Sequence, residues 1–377
     1  MTLTQRDFVS GPLLIGMAAF ALVAILQASV HSSGLGVAVE HRALLLSLVE
    51  HAGELGFGLA ACFASVRTLG VLVSAAAALS LGALAATGQL GGYLGLPVSA
   101  LAGALNVCAW TLLVDEVRPL GRALRNSMFL LSCAVAVLVQ LLAYGLLARR
   151  SVLGAPIAVQ GLGVVVCVLL LLVCFTRGAD EAPQSPAKPS RWRLVFALFT
   201  LALPVKAAIS ALALSRVGPL GTATSRLWLD NSVALLGQGS LLAVSVWLGI
   251  KRPATSAPRL AAWGILLGAA LVPGFALGNR CTLLASFGSG VVAAAAPLLA
   301  LVAALLTPRR LVPLMLAGWF SSGVLVSRLA DLAGHWVADD AAGQILLAIG
   351  ASVLMIVSAV GLLLGVSAEV DGGARGV

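Results

Sequence analysis

Stretches of about twenty apolar residues recur along the whole chain, and a helix of that length is what crosses a bilayer while satisfying its own backbone hydrogen bonds. On that ruler the sequence predicts spanning helices at 9–30, 43–65, 68–87, 92–114, 126–148 and 152–175. Six more follow at 194–214, 232–250, 260–278, 281–306, 311–331 and 344–366. The runs are unbroken rather than alternating, which excludes a β-barrel. Of the 377 residues 60% are hydrophobic and 10% charged, against about a quarter charged in a soluble domain. The expected fold class is therefore an all-α integral membrane protein with twelve transmembrane helices.

The longest polar run, residues 176–193 (TRGADEAPQSPAKPSRWR), divides the two sets of six. Its prolines remove backbone donors and its charges cannot sit in hydrocarbon, so it reads as a solvated linker. The expected organisation is a six-helix bundle over 1–175, the linker, a second six-helix bundle over 194–366 and a short tail over 367–377. With the N-terminus in the cytoplasm, fifteen of the 23 basic residues fall on the cytoplasmic face and six on the other, while Lys206 and Arg328 lie inside helices. That asymmetry places both termini and the linker in the cytoplasm.

The net charge of +9 is scattered through short loops, without a basic face interleaved with aromatics, so nucleic acid is not an expected partner. The six cysteines all fall in apolar runs and form no CxxC, which argues against a disulfide framework or a metal site. His31, His41 and His51 recur every ten residues, a spacing that builds no metal site. The first apolar run lacks a small-residue cleavage site and reads as a retained helix. No phosphate-binding glycine loop, Walker lysine or HExxH is present, so neither a nucleotide-driven pump, an enzyme nor a cofactor is expected.

Two short stretches carry a family resemblance. Ala64-Ser65-Val66-Arg67-Thr68-Leu69-Gly70 follows the second helix and keeps one arginine and one glycine of a G-x-x-x-D-R-x-G-R loop, without its aspartate. Glu116-Val117-Arg118-Pro119-Leu120-Gly121-Arg122 follows the fourth and is similar to an acidic-x-x-Pro-x-x-Arg loop. With the six-plus-six plan, the chain resembles the major facilitator superfamily, whose halves are related by an axis along the membrane normal. The run Gly103–Trp110, followed by Asp115 and Glu116, is also similar to the fourth helix in the membrane half of LuxR-type transcription regulators. The ending GVSAEVDGGARGV is too short for their DNA-binding domain.

The residues that should not be in lipid are the informative ones, because an ionisable group near the bilayer centre faces a cavity or a partner. Glu50 and Glu54 lie four apart on one face of the second helix, with His51 adjacent. Two carboxylates that close in a low dielectric cannot both stay charged cheaply, which suits them to carry a proton. The alternative is a helix that starts later, leaving Glu50 and His51 at the outer surface. Lys206 follows Pro204 in the seventh span, deep enough to bind an anion or to pair with Glu50 or Glu54. The facilitator resemblance would place it in the central cavity.

Asn106 and Trp110, four apart on the fourth helix, present an amide and an aromatic wall to a ligand; singly, such residues also serve as helix–helix glue, as do Gln27, Gln140, Gln160 and Gln238. Asp115, Glu116, Arg118 and Arg122 read as a loop-anchoring, gating network at the cytoplasmic boundary.

These readings combine into a secondary transporter of a small solute, coupled to protons and working by alternating access. Its rival is a membrane sensor that keeps the transporter fold without flux. Expected partners are the solute, protons and the bilayer, and the expected state is a monomer. The arginine- and small-residue-rich composition points to the plasma (inner) membrane of a bacterium of high genomic GC.

Overall fold

The computed structural model describes residues 11–32, 39–87, 95–152, 156–176, 195, 224–252, 255–275, 281–322 and 341–366. They form helices α1 (Gly11–Ser32), α2 (Val39–Ala60), α3 (Val66–Thr87), α4 (Gly95–Val117), α5 (Arg122–Val152) and α6 (Pro156–Thr176). The later helices are α7 (Thr224–Lys251), α8 (Ala257–Leu271), α9 (Cys281–Leu306), α10 (residues 312–322) and α11 (Ala341–Gly361). Each overlaps a predicted span, α7 beginning eight residues before the predicted 232. The seventh span is the exception: all but one residue of 194–214, with residues 177–193 of the linker and the tail, lies outside the described residues.

Seven described helices are long and apolar enough to cross a membrane. Their outer surfaces expose side chains that water would reject, such as Leu79 (76% exposed) and Ile250 (73% exposed). The protein is a multi-pass membrane protein with an all-helical fold.

Two boundaries move in ways that matter. The apolar ruler starts the second helix at residue 43, whereas α2 begins at Val39 and ends at Ala60. Glu50 is thus the twelfth residue of a 22-residue helix and sits at its middle, not at a fraying end. Beyond α2 the chain turns through residues 61–65, and Ser65 caps α3 by accepting from the Thr68 backbone N–H at 3.0 Å. The predicted fifth helix, 126–148, lengthens to 31 residues because Arg122, Arg125, Arg149 and Arg150 are good helix formers that continue the backbone past the apolar run.

The chain divides into two compact units. The first holds α1 to α4, α6, residues 135–152 of α5, and residues 308–321. Within it α3 lies along α6, and α4 packs against α1, α2 and α3. Arg67, the second residue of α3, donates to the Phe175 carbonyl at 2.6 Å and stacks 5.8 Å from that ring. It thereby satisfies an orphan carbonyl at the end of α6. Cys108 and Cys174 are buried, and both sulfurs approach Gly70, where a side chain would meet them below 3 Å. The cysteines of the described residues are all free thiols.

The second unit holds residues 120–134, the opening of α5, together with α7, α8, α9 and α11. Here α9 packs against α7 and α8, and α11 against α8. The start of α5 is tied to α7 by Ser127 and Ser245, whose hydroxyls lie 3.2 Å apart, and by Gly249, which leaves room for Ala123.

Candidate functional site

The site begins with how closely α2 and α4 approach. A β-carbon at Gly53 would fall within 2 Å of the Ala100 carbonyl oxygen, and one at Gly103 would fall 2.0 Å from the Glu50 carbonyl oxygen. Two glycines therefore let the helix backbones touch, as small residues do where membrane helices cross. Ser99 donates to the Leu46 carbonyl at 3.0 Å one turn away, fixing the register.

That contact delivers one polar cluster. Asn106 on α4 donates from Nδ2 to Glu54 Oε1 at 3.0 Å. His51 Nδ1 lies 2.5 Å from Glu54 Oε2 on the same helix. Gln27 on α1 donates from Nε2 to Glu50 Oε1 at 2.8 Å. Glu54 is only 2% exposed, whereas the His51 side chain keeps 22% of its surface. A buried carboxylate without donors would be costly, and here each of the two carboxylates accepts from an amide on another helix. Chemically the cluster is an acceptor-rich, ionisable centre at the middle of α2 and α4, closed on one side by α1.

Of the sequence-predicted residues, Glu50, His51, Glu54 and Asn106 come together. Trp110 does not form an open wall beside Asn106. It is 7% exposed and packs edge-on between Phe20 of α1 and Phe320 of α10, with ring centroids 5.1 Å away on each side. Lys206 lies outside the described residues. Gln27 is the residue the spacing argument left out; it stood among the intramembrane amides, and only the packing of α1 reveals what it binds.

A second charged group lies at the end of α4. Asp115 Oδ1 is 4.0 Å from Arg118 Nε and 3.2 Å from Arg309 Nε. Burial pulls the Arg118 guanidinium below its ordinary pKa; Asp115 opposes that shift and Arg309 adds to it. Glu116 lies against Gly16 of α1, and Arg122 opens α5 in the second unit. Arg309 was not among the predicted members, because nothing local marks a partner 194 residues away.

Solved structures place this architecture. A variant of the Escherichia coli fucose:proton symporter FucP superposes with a TM-score of 0.68 and 14% identity, over 93% of this chain and 98% of that one. The fold is that of the major facilitator transporters. FucP in an outward conformation gives 0.67 and 13% identity, over 93% of this chain and 98% of that one. The human organic anion transporter MFSD10 (TETRAN) gives 0.61 and 17% identity, over 97% and 99%. No protein-family profile and no curated sequence matches the chain.

Proposed function

We propose that this major facilitator-fold protein is a secondary transporter that couples movement of a small polar solute to protons. The observation that carries the reading is the mid-span cluster, in which Glu54 and Glu50 are each held by an amide from a neighbouring helix. An ionised carboxylate is expensive to move through a low-dielectric interior, and a protonated one is not. Protonation of Glu54 removes a buried charge and releases Asn106 from a charge-assisted hydrogen bond. Proton binding and solute binding then draw on the same side chains, which is the physical content of coupling. His51, in contact with Glu54 and partly accessible, is the route for the proton. Lys206 serves as the third charge-handling residue. The fold likeness to a fucose:proton symporter supports the class of activity.

The Asp115–Arg118–Arg309 group takes the latching role that the degenerate loop after α2, without its aspartate, cannot fill. The two six-helix halves of the sequence alternate in access, in an inner membrane with both termini cytoplasmic.

The test is uptake of radiolabelled L-fucose, p-aminohippurate and tetraethylammonium by purified protein in liposomes, with and without an imposed pH gradient. Accumulation of one of these that follows the gradient and disappears in Glu54→Gln supports the reading. A solute that stabilises the protein against heat without entering the liposomes moves the assignment to a sensor.

A further inference from the structure

The two units contain the same helix crossing twice. In the first unit Gly53 meets the Ala100 carbonyl and Gly103 meets the Glu50 carbonyl. In the second, Gly237 of α7 meets the Phe287 carbonyl at 2.2 Å, and Gly290 of α9 meets the Ala234 carbonyl at 1.9 Å. In all four cases each glycine sits three residues beyond the residue of its own helix whose carbonyl meets the opposite glycine, so the correspondence is fixed residue by residue. Glu50 matches Ala234, Gly53 matches Gly237, Ala100 matches Phe287 and Gly103 matches Gly290. Burial follows the same register. Ala52 and Leu236 are exposed, Phe57 and Leu241 are each 4% exposed, and Asn106 and its counterpart Ala293 are both half-buried.

This register puts Gln238 at the position of Glu54. The two side chains differ in their surroundings. Glu54 finds Asn106, whereas the residue matching Asn106 is Ala293, which offers no hydrogen bond. Among the described residues Gln238 has no hydrogen-bond partner, and it is half-buried rather than sealed in a helix contact. An amide in a spanning helix needs either a partner or water, because hydrocarbon supplies neither donor nor acceptor. Helix–helix glue requires a partner, and the described residues supply none.

We infer that Gln238 lines the aqueous, solute-accessible face of the second unit and contacts the solute there, as the internal counterpart of Glu54. This rests on the transporter reading for the presence of a solute. The water-facing position stands on the repeat and the unpartnered amide.

The experiment is site-directed labelling with methanethiosulfonate ethyltrimethylammonium, a membrane-impermeant cation that modifies only water-accessible thiols. Gln238→Cys is compared with Leu236→Cys, two residues away and 66% exposed on the apolar surface. Modification is read position by position by mass spectrometry, so the native cysteines stay in place. Ala293→Cys reads the same face from α9 with a change small enough to preserve packing. Gln238→Cys and Ala293→Cys are expected to react at least about tenfold faster than Leu236→Cys, since lipid excludes the charged reagent. Rates at 238 and 293 no faster than at 236 overturn the inference, whatever the uptake assay shows. Fast labelling without uptake of any panel solute leaves the water-facing position intact and removes the transport reading.

Discussion

Glu54 carries the chemistry of the proposed site because it is the most deeply buried ionisable residue in the cluster, accepts from Asn106 and lies in contact with His51. Replacing it with glutamine keeps the size and the contact with Asn106 but removes the titratable proton. Coupling between two ligands typically amounts to ~1–3 kcal/mol, or about 5–150-fold in affinity. Glu54→Gln is therefore expected to flatten a pH dependence of that size in solute affinity, measured between pH 5 and 8. Asn106→Leu should act differently, leaving a buried carboxylate short of a donor and costing about 1–3 kcal/mol, seen as a lower midpoint of thermal unfolding. The pairing of Glu50 with Glu54 was legible in the sequence, since four residues is one helical turn. What bonds to each was not. Asn106 was visible as an intramembrane amide, but its partner lies 52 residues earlier, and Gln27 lies 23 residues from Glu50. Local spacing holds no information about which helices touch.

At the scale of the element, the helices were legible because hydrocarbon thickness sets their length. The ends were less so. The start of α2 sits four residues before the apolar run, since Glu40 and Arg42 interrupt the hydropathy but not the backbone hydrogen bonding. The crossings depend on glycines that composition alone does not single out among 41. They can be told apart by what a methyl group would meet. Gly103→Ala drives a β-carbon into the Glu50 carbonyl and should destabilise by about 1–3 kcal/mol or more, with Gly290→Ala following suit in the second unit. At Gly82 and Gly161 no atom lies within 4 Å of the added carbon. Alanine there should be neutral or stabilise by about 0.5–1 kcal/mol through helix propensity. Thermal unfolding of the four variants in detergent separates the two classes. Equal midpoints at 103 and 161 would contradict the close α2–α4 contact.

Across the whole molecule, charge sets orientation and the folding of distant segments sets the contacts. The bias of basic residues predicts that a fluorescent protein fused after Val377 is cytoplasmic and fluoresces, while one inserted at residue 35 does not. The Asp115–Arg309 pair joins two segments far apart in sequence inside the first unit, yet Arg309 keeps 47% of its side-chain surface. A half-exposed pair of this kind is worth about 0.2–1 kcal/mol, so a double-mutant cycle of Asp115→Asn and Arg309→Gln should return a coupling in that range. A larger effect on uptake rate than on stability would assign the pair to gating. The central claim, that the buried Glu54 carboxylate couples protons to a solute, is tested most directly by proton movement itself. Liposomes loaded with a pH-sensitive dye would receive L-fucose, p-aminohippurate or tetraethylammonium in the absence of an initial pH gradient. The account predicts internal acidification with one of these for the wild-type protein and none for Glu54→Gln. Solute entry with no change in internal pH in the wild type would contradict it.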